Sequence, residues 1–314
     1  MPIDGCVFHV DHPVANGERI RFTWEAWGKR AFTAAELQPA VDDLQATRLR
    51  RFTSNFLRFN VTPGDIDWFD DFGSVSNNAA AAARVARAGK ARGILFDVEP
   101  YNAPVFDYSR QKLAASKSWE DYAAQARLRG REVMQAFERE DPDITVFLTF
   151  GYSIAWAQME NGRRPLARCQ YGLLPAFLDG LVDAATGKAR LVDGCELAYG
   201  YKETRRFRQE YETMRTTLLP IVAEPDKYHA AVSLGFGLWM DYDSHKHPWN
   251  LTNLVLNFYS PDQFAASLRE ALAVSDEYVW VYTEVPRWWT EAGPPTNLPT
   301  AYIEAVRGAR GMAK

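Results

Sequence analysis

Short apolar segments alternate along this chain with segments that carry helix signals, and this alternation constrains the fold more than any other feature. The apolar segments, rich in Val, Ile, Leu and Phe, span residues 5–11, 52–60, 91–99, 144–152, 191–199, 230–241 and 278–284. Repeated strand-then-helix units without a break in composition are typical of one α/β domain with a parallel sheet. We therefore expect a single domain over residues 1–314, with a (β/α)8, or TIM, barrel as its natural completion.

Capping residues mark where several helices begin. The segments Thr33–Glu36, Ser118–Asp121 and Ser260–Gln263 each start with a hydroxyl side chain and carry an acid or amide three residues later. This spacing satisfies backbone N–H groups at a helix start. The three signals predict helices that run to residues 48, 140 and 274, and further helices are expected over residues 75–88, 173–185, 203–219 and 299–310.

Seven strand-helix units are one short of eight, and the chain enters a strand almost at once. Either a first N-terminal βα unit is lacking, or the barrel is open or closed irregularly, and the sequence leaves both open. Asn16-Gly17 predicts a tight turn, and with it a β-hairpin excursion near residues 12–27 whose outgoing arm is residues 21–27. A doubly wound open sheet is the rival fold, but no early strand is followed by its Gly-x-Gly-x-x-Gly fingerprint.

The net charge and the hydropathy of the chain argue against nucleic-acid and membrane partners. Because 36 basic residues stand against 40 acidic ones, a net charge of −4, we expect neither a nucleic-acid nor an anionic-membrane partner. No apolar run approaches the ~20 residues of a membrane span, and the early Asp4 does not fit a signal peptide, so a soluble protein is expected. The cysteines, Cys6, Cys169 and Cys195, lack metal-type spacing and are expected to be buried thiols. Compartment and oligomeric state are not indicated.

The segment Ala91–Asn102 ends an apolar run in two carboxylates and a tyrosine. In a strand, alternate side chains share a face, so Asp97 and Glu99 are expected to point the same way. Pro100 cannot donate to a sheet ladder, and the strand should stop before it. Both acids would then lie at the carboxyl end of a parallel strand, where α/β proteins place their chemistry.

The same alternation predicts polar or aromatic side chains facing inward at nearly every other strand end. Those expected to line a site and bind substrate are His9, Asp11, Arg58, Asn60, Tyr152, Glu196, Trp239, Asp241, Tyr282 and Glu284. Tyr101 and Trp288 follow strand ends and, with Trp239, are expected to stack on a ligand, since aromatic faces suit the C–H faces of sugar rings.

Several carboxylates among aromatic loops suit glycosidic bond hydrolysis, in which one acid protonates the leaving oxygen and a second attacks or activates water. We assign the acid to Glu99, with the charge of Asp97 helping to keep it protonated, and the second carboxylate to Glu284. Asp241 is the substitute if Glu284 fails, and Glu196 is expected to orient another side chain. The structural alternative is that Asp97 and Glu99 merely pair with Arg58 or Arg92.

The strand end Leu95-Phe-Asp-Val-Glu-Pro-Tyr101 resembles the Asp-x-Glu strand end of the chitinase-like glycoside hydrolases of family 18 and of barrel lysozymes. The resemblance implies Glu99 as the acid and Asp97 as its neighbour. Further acids of the chitinase pattern are replaced here by Arg92 and Leu95, which argues against N-acetyl-assisted chemistry. Tyr-Thr-Glu284 looks instead like the nucleophile strand of retaining barrel glycosidases, although Glu99 lacks the Asn that precedes the acid in those enzymes.

Our hypothesis is a barrel glycosidase that needs no cofactor. It cleaves a glycan or glycoside through Glu99, Glu284 and Asp97, and it retains the anomeric configuration. One rival is a catalytically inactive carbohydrate-binding barrel. A second is a metal-dependent barrel hydrolase that uses His9, Asp11 and Glu196. The spacing of His229, His245 and His247 matches no strong zinc signature, so we expect no metal there.

Overall fold

The computed structural model of the chain describes residues 2–13, 17–49, 51–160, 162–290 and 293–312. Within these residues the strands are β1 (Val7–Phe8), β2 (His12–Pro13), β3 (Arg19–Ile20), β4 (Phe56–Asn60), β5 (Gly93–Asp97), β6 (Thr145–Leu148), β7 (Arg190–Asp193), β8 (Val232–Leu234), β9 (Phe236–Trp239) and β10 (Val279–Tyr282). The α-helices are α1 (Phe22–Glu25), α2 (Ala34–Ala46), α3 (Gly73–Ala88), α4 (Trp119–Glu140), α5 (Tyr152–Gln158), α6 (Leu174–Ala184), α7 (Arg205–Glu212), α8 (Pro225–Ala231), α9 (Pro261–Val274) and α10 (Thr300–Met312).

A six-stranded parallel sheet, in the order β1-β4-β5-β6-β7-β8, is the main sheet of the fold. Strands β9 and β10 form a separate parallel pair, and β2 pairs with β3 as an antiparallel hairpin. The predicted α/β class with a parallel sheet is therefore confirmed. The hairpin is confirmed too, but Asn16 of its predicted turn lies outside the described residues.

Contacts divide the chain into two compact units. The larger unit comprises Asp4–Asp193 and Leu218–Val232, and the smaller comprises Met1–Ile3, Gly194–Thr217 and Ser233–Lys314. The division falls inside β8, directly after Val232. A single domain over the whole chain stays a prediction.

The capping signals located three helices accurately. Thr33, Ser118 and Ser260 each form a complete capping box, and α2, α4 and α9 begin at the following residue. Such boxes depend only on residues three apart, which explains why local sequence was sufficient.

Every predicted strand is shorter in the structure than expected, with β1 ending at Phe8 before His9 and Asp11, and four extended segments give way to helix or turn. Residues 22–25 of the hairpin's outgoing arm form α1, and the strand expected over 144–152 ends at Leu148. The strand expected over 191–199 ends at Asp193, because the left-handed backbone of Cys195 (φ 38°) breaks the extension before a 3-10 helix, Glu196–Gly200. The strand expected over 230–241 is divided between β8 and β9, after the unpredicted α8.

Aromatic packing fixes which face of β4 and β5 meets the helices. Phe59 and Phe96 lie 5.4 Å apart, and both rings contact Phe137 of α4. Phe96 also contacts Phe177 of α6. Because side chains alternate along a strand, Arg58 and Asp97 project from the opposite face, away from these two helices.

Glycines allow α4 and α6 to approach closely on that aromatic face. A Cβ at Gly130 would lie 2.1 Å from the carbonyl oxygen of Phe177, and one at Gly180 would lie 2.0 Å from that of Arg127. Any larger residue would push the helices apart and loosen their contact with the sheet.

Two of the three cysteines, Cys169 and Cys195, are buried as predicted, and Cys6 is half-buried. None of the helices among the described residues is both long enough and apolar enough to cross a bilayer.

Candidate functional site

The ends of β4 and β5 bring three predicted site residues together in the larger unit. In the parallel register Asn60 is the partner of Asp97, and Arg58 lies two residues before Asn60 on the same face. The backbone continues the pairing, because Val61 N–H donates to the carbonyl oxygen of Asp97 at 3.0 Å. Arg58, Asn60 and Asp97 therefore share one rim of the sheet.

Asp97 is fully buried, and each of its oxygens accepts hydrogen bonds. Its Oδ2 accepts from Nε of Arg58 at 3.1 Å and from Nη2 of the same guanidinium. Its Oδ1 accepts from the backbone N–H of Glu99 at 3.1 Å. A carboxylate held in this way is a fixed charge beneath Glu99, so the pairing with Arg58 that we held as the structural alternative is present.

Glu99 and Tyr101 lie above this buried pair. The Tyr101 hydroxyl is 2.6 Å from Oε1 of Glu99 and 3.0 Å from Oδ2 of Asp97, and it accepts from Nη2 of Arg58 at 3.0 Å. Glu99 is half-buried, whereas Tyr101 is 47% exposed. The four residues form one hydrogen-bonded network that reaches solvent through Tyr101.

The electrostatics of the network favour a protonated Glu99. Burial raises the pKa of the Glu99 carboxyl above its ordinary value, and the nearby charge of Asp97 raises it further, while Tyr101 and Arg58 oppose the rise. Burial and the two carboxylates also raise the pKa of Tyr101, so its hydroxyl keeps its hydrogen. A carboxyl with a raised pKa can serve as a general acid near neutrality.

Trp24 of α1 forms a wall beside this network. Its ring lies 5.6 Å from Tyr101 and 6.4 Å from His9, and the guanidinium carbon of Arg58 lies 5.1 Å from its centre. From the sequence, Trp24 belongs to the predicted outgoing arm of the hairpin and was not among the expected site residues. Its position as a large aromatic residue shortly after the predicted hairpin turn is the signal that could have found it.

His9 and Asp11, predicted to share the rim, differ in their surroundings. Burial by neighbouring atoms and the charge of Arg58 lower the pKa of His9, which favours the neutral ring, although the residue as a whole is exposed. Asp11 instead pairs with Arg19 at 2.7 Å, across the hairpin. Its carboxylate is thus engaged in holding the hairpin together.

Asn60 is buried, and neither its Oδ1 nor its Nδ2 has a hydrogen-bond partner among the described residues. The hydroxyl of Thr62, two residues later, is in the same condition. Polar groups left in this state are costly unless a water or ligand atom reaches them.

No protein-family model matches this chain, and no curated protein matches its sequence.

The smaller unit contains the other proposed carboxylates, at the ends of β9 and β10. Asp241 is buried and accepts from the backbone N–H groups of Glu284 at 3.1 Å and Val285 at 2.8 Å, and from Nε1 of Trp239 at 3.1 Å. It thereby fixes the chain at the end of β10. Asp241 lies two residues past the end of β9, and these donors hold its carboxylate in a buried position.

Glu284 is half-buried and keeps its side chain within reach of solvent. Its Oε2 accepts from the Ser244 hydroxyl at 2.8 Å, and its Oε1 lies 3.4 Å from the Tyr282 hydroxyl. Ser244 was not selected from the sequence, because the loop 242–249 carries no pattern that ties it to the end of β10.

Aromatic rings surround the end of this pair of strands. Tyr282 stacks on Tyr199 at 5.8 Å, and Trp239 packs edge-on against both rings. Trp280 contacts Tyr199 at 5.2 Å and donates from Nε1 to the carbonyl oxygen of Gly194. Tyr282 and Trp239 are register partners and belong to one aromatic platform next to Glu284, while stacking of Trp239 on a ligand stays a prediction.

Three predicted site residues lie elsewhere. Tyr152 begins α5 rather than ending a strand; it is 1% exposed and its hydroxyl donates to Asp179 of α6 at 2.9 Å. Glu196 belongs to a 3-10 helix and not to a strand. Trp288 is 8% exposed and so presents little surface for stacking. The hydroxyl bond to α6 and the ring contact with Tyr228 of α8, which a strand pattern does not reveal, account for the position of Tyr152.

Within the described residues, His, Cys, Asp and Glu side chains do not gather in groups of three that could hold a metal ion. A surface cavity of about 300 Å³ lies among the loops after β4 and β5, lined by residues such as Gly64, Asp65, Val105 and Lys112. Asp97, Glu99 and Tyr101 are not among its lining residues.

Proposed function

We propose that this protein is a glycoside hydrolase that uses carboxylate acid/base chemistry on an oligo- or polysaccharide. Glu99 acts as the general acid and then base, Asp97 holds a fixed negative charge beneath it, and Glu284 acts as nucleophile or base. The observation that carries the proposal is the arrangement of Asp97 and Glu99 at one strand end, joined through the hydroxyl of Tyr101.

Different surroundings suit the two neighbouring carboxyl groups to different roles. Asp97 is buried against Arg58, so its charge is compensated and fixed. Among the residues that the structure describes, Glu99 forms no ion pair of its own, and burial together with Asp97 raises its pKa. A pair of acids whose environments differ in this way supplies one proton donor and one permanent charge, as glycosidic cleavage requires.

Aromatic side chains support a sugar as the substrate. Trp24 and Tyr101 stand beside Glu99 in the larger unit, and Trp239 and Tyr282 stand beside Glu284 in the smaller one. Flat rings with polar edges bind the C–H faces and hydroxyls of sugars. His9 and Asn60 offer polar groups that could hydrogen-bond sugar hydroxyls. The proposed chemistry uses no cofactor.

The test is turnover of a panel of aryl glycosides and polysaccharides by the wild type, Glu99→Gln and Glu284→Gln. We expect both variants to lose at least about 10³-fold in kcat, because each lacks an essential carboxyl group. Glu132→Gln is the matched control, since Glu132 forms its ion pair with Arg129 one turn earlier on α4. Wild-type-like turnover by Glu99→Gln contradicts the proposal.

The two rivals predict other outcomes of the same panel. A catalytically inactive carbohydrate-binding protein would bind sugars in calorimetry with no turnover by the wild type. A metal-dependent hydrolase would lose activity with a chelator. For a retaining glycosidase, NMR of the first-formed sugar shows the anomeric configuration of the substrate.

The finer fold that we propose is a (β/α) barrel. It is supported by the regular order of parallel strands and helices along the chain, from β4 through α9 and β10. A crystal structure with an open main sheet would contradict it.

A further inference from the structure

We propose that Tyr101 is a positioning residue that couples Asp97 to Glu99, by turning its hydroxyl hydrogen from one carboxyl group to the other as Glu99 gains or loses a proton. This inference rests on the proposed function, in which Glu99 is the acid. It replaces the stacking role that the sequence suggested for Tyr101.

The position of the ring is set by the backbone and by two neighbours. Tyr101 N–H donates to the carbonyl oxygen of Glu99 at 3.0 Å, closing a tight turn around Pro100 that brings residue 101 back over residue 99. Trp24 packs edge-on against the ring, and Arg58 binds the hydroxyl oxygen at 3.0 Å. The hydroxyl is therefore held between the two carboxyl groups before any substrate arrives.

A tyrosine hydroxyl has one hydrogen, so it cannot donate to both carboxyl groups at once. When Glu99 is ionised, the hydrogen belongs to Glu99, because the 2.6 Å contact is shorter and Oδ2 of Asp97 already accepts twice from Arg58. When Glu99 is protonated, its own hydrogen points to the Tyr101 oxygen. The hydroxyl hydrogen then turns to Oδ2 of Asp97, at 3.0 Å.

The hydroxyl hydrogen is used in both states, by Glu99 when Glu99 is ionised and by Asp97 when Glu99 is protonated, and no covalent bond is made or broken on Tyr101. The bond to ionised Glu99 is the stronger of the two, because that contact is shorter and the charge of Asp97 is already compensated by Arg58, so the link stabilises ionised Glu99 more than protonated Glu99. This difference agrees with the opposition of Tyr101 to the raised pKa of Glu99.

The first test compares pH–rate profiles of the wild type and Tyr101→Phe, which keeps the ring and removes only the hydroxyl. We expect the alkaline limb of kcat/KM to move upward by roughly one pH unit and kcat at pH 7 to fall about tenfold, with KM changed less than about twofold. Tyr108→Phe is the control, because Tyr108 donates only to backbone carbonyls of the larger unit, at Lys117 and Ala114. Its profile should match the wild type.

An alkaline limb that stays in place in Tyr101→Phe overturns the proposal. A fall in KM at unchanged kcat also overturns the proposal, because it would mean that the Tyr101 hydroxyl only hinders substrate binding. A purely structural role would instead lower activity equally at every pH.

A second test does not need activity. Carbon-13 NMR titration of the Glu99 side-chain carboxyl in the wild type and in Tyr101→Phe measures the coupling directly, and we expect the midpoint to rise by roughly one pH unit in the variant. A rise in a protein that hydrolyses no glycoside would support the coupling while the proposed function fails. An unchanged midpoint in an active enzyme would refute the coupling alone.

Discussion

Arg58 donates two hydrogen bonds to a single oxygen of Asp97, from Nε at 3.1 Å and from Nη2. The carboxylate is 1% exposed and the guanidinium 20%, so both charges are largely withdrawn from water. Pairs of this kind are costly to break from one side, because the remaining charge stays buried without compensation.

Replacement of Arg58 by Met should therefore lower the free energy of unfolding by about 3 kcal/mol. The double variant Arg58→Met/Asp97→Asn should recover most of that loss, since the stranded charge is then absent. Urea denaturation of the two single variants and the double variant measures the coupling. Losses that simply add in the double variant would show that the pair has no mutual stabilisation.

Ser244 holds one oxygen of Glu284, and its removal should affect chemistry rather than folding. We expect Ser244→Ala to lower kcat about tenfold, because a hydrogen bond to a charged group is worth about 1.5 kcal/mol. The measurement is steady-state kinetics on the best substrate of the panel. Thr252→Ala, whose hydroxyl bonds only Asn250 in the same unit, should leave kcat unchanged, and equal losses in the two variants would argue against Glu284 as a reacting group.

Asn78 of α3 clamps the segment that carries Trp24 and Trp27. Its Oδ1 accepts from Phe32 N–H at 2.9 Å, and its Nδ2 donates to the carbonyl oxygens of Ala26 at 2.9 Å and Arg30 at 2.7 Å. Asn78→Ala should lower the free energy of unfolding by about 3 kcal/mol, roughly one for each bond. Asn77 is exposed and donates one part-buried bond to the same segment, so Asn77→Ala should cost only about 1 kcal/mol in the same urea assay.

Asp179 should make the larger unit less stable as the pH rises from 4 to 6. Burial is the main cause that raises the pKa of Asp179 from 3.8 to about 6. The folded protein therefore holds this proton more tightly than the unfolded chain, and the stability so contributed is full below pH 4 and lost as the pH passes 6. The difference is on the order of 3 kcal/mol.

Asp179→Asn should remove this pH dependence. Tyr152 and Ala223 both donate to Oδ1, so an amide oxygen can keep both bonds. Urea unfolding between pH 4 and 7 should show the variant gaining on the wild type as the pH rises. Asp183→Asn is the control, because Arg127 holds the pKa of Asp183 at about 2 and its contribution is nearly constant over that range; parallel curves for Asp179→Asn and the wild type would refute the assignment.

Local patterns predicted the parts of the fold that local interactions control. The helix starts at Thr33, Ser118 and Ser260 were found because a capping box is complete within four residues. Strand alternation also put Arg58, Asn60 and Asp97 on one face, and the register joins them there. Asp193 shows where the strand pattern fails to predict a site residue, because it ends β7 just as Asp97 ends β5. Its register partner Leu148 is itself paired with Phe96, whose ring faces the helices, so Asp193 lies on that side of the sheet. There the Gly151 N–H donates to its carboxylate at 3.1 Å.

The sequence by itself determined the α/β class, the capped helices and the pairing of Asp97 with Glu99, since each depends on residues near in the chain. Only the tertiary structure decided that Arg58 and Trp24 hold Tyr101 between the two acids, and that Tyr152 turns inward to Asp179. The physical reason is that burial and hydrogen-bond partners come from segments distant in sequence. The residue type fixes the functional group of a side chain, but packing fixes its exposure to solvent, its neighbours and therefore its pKa.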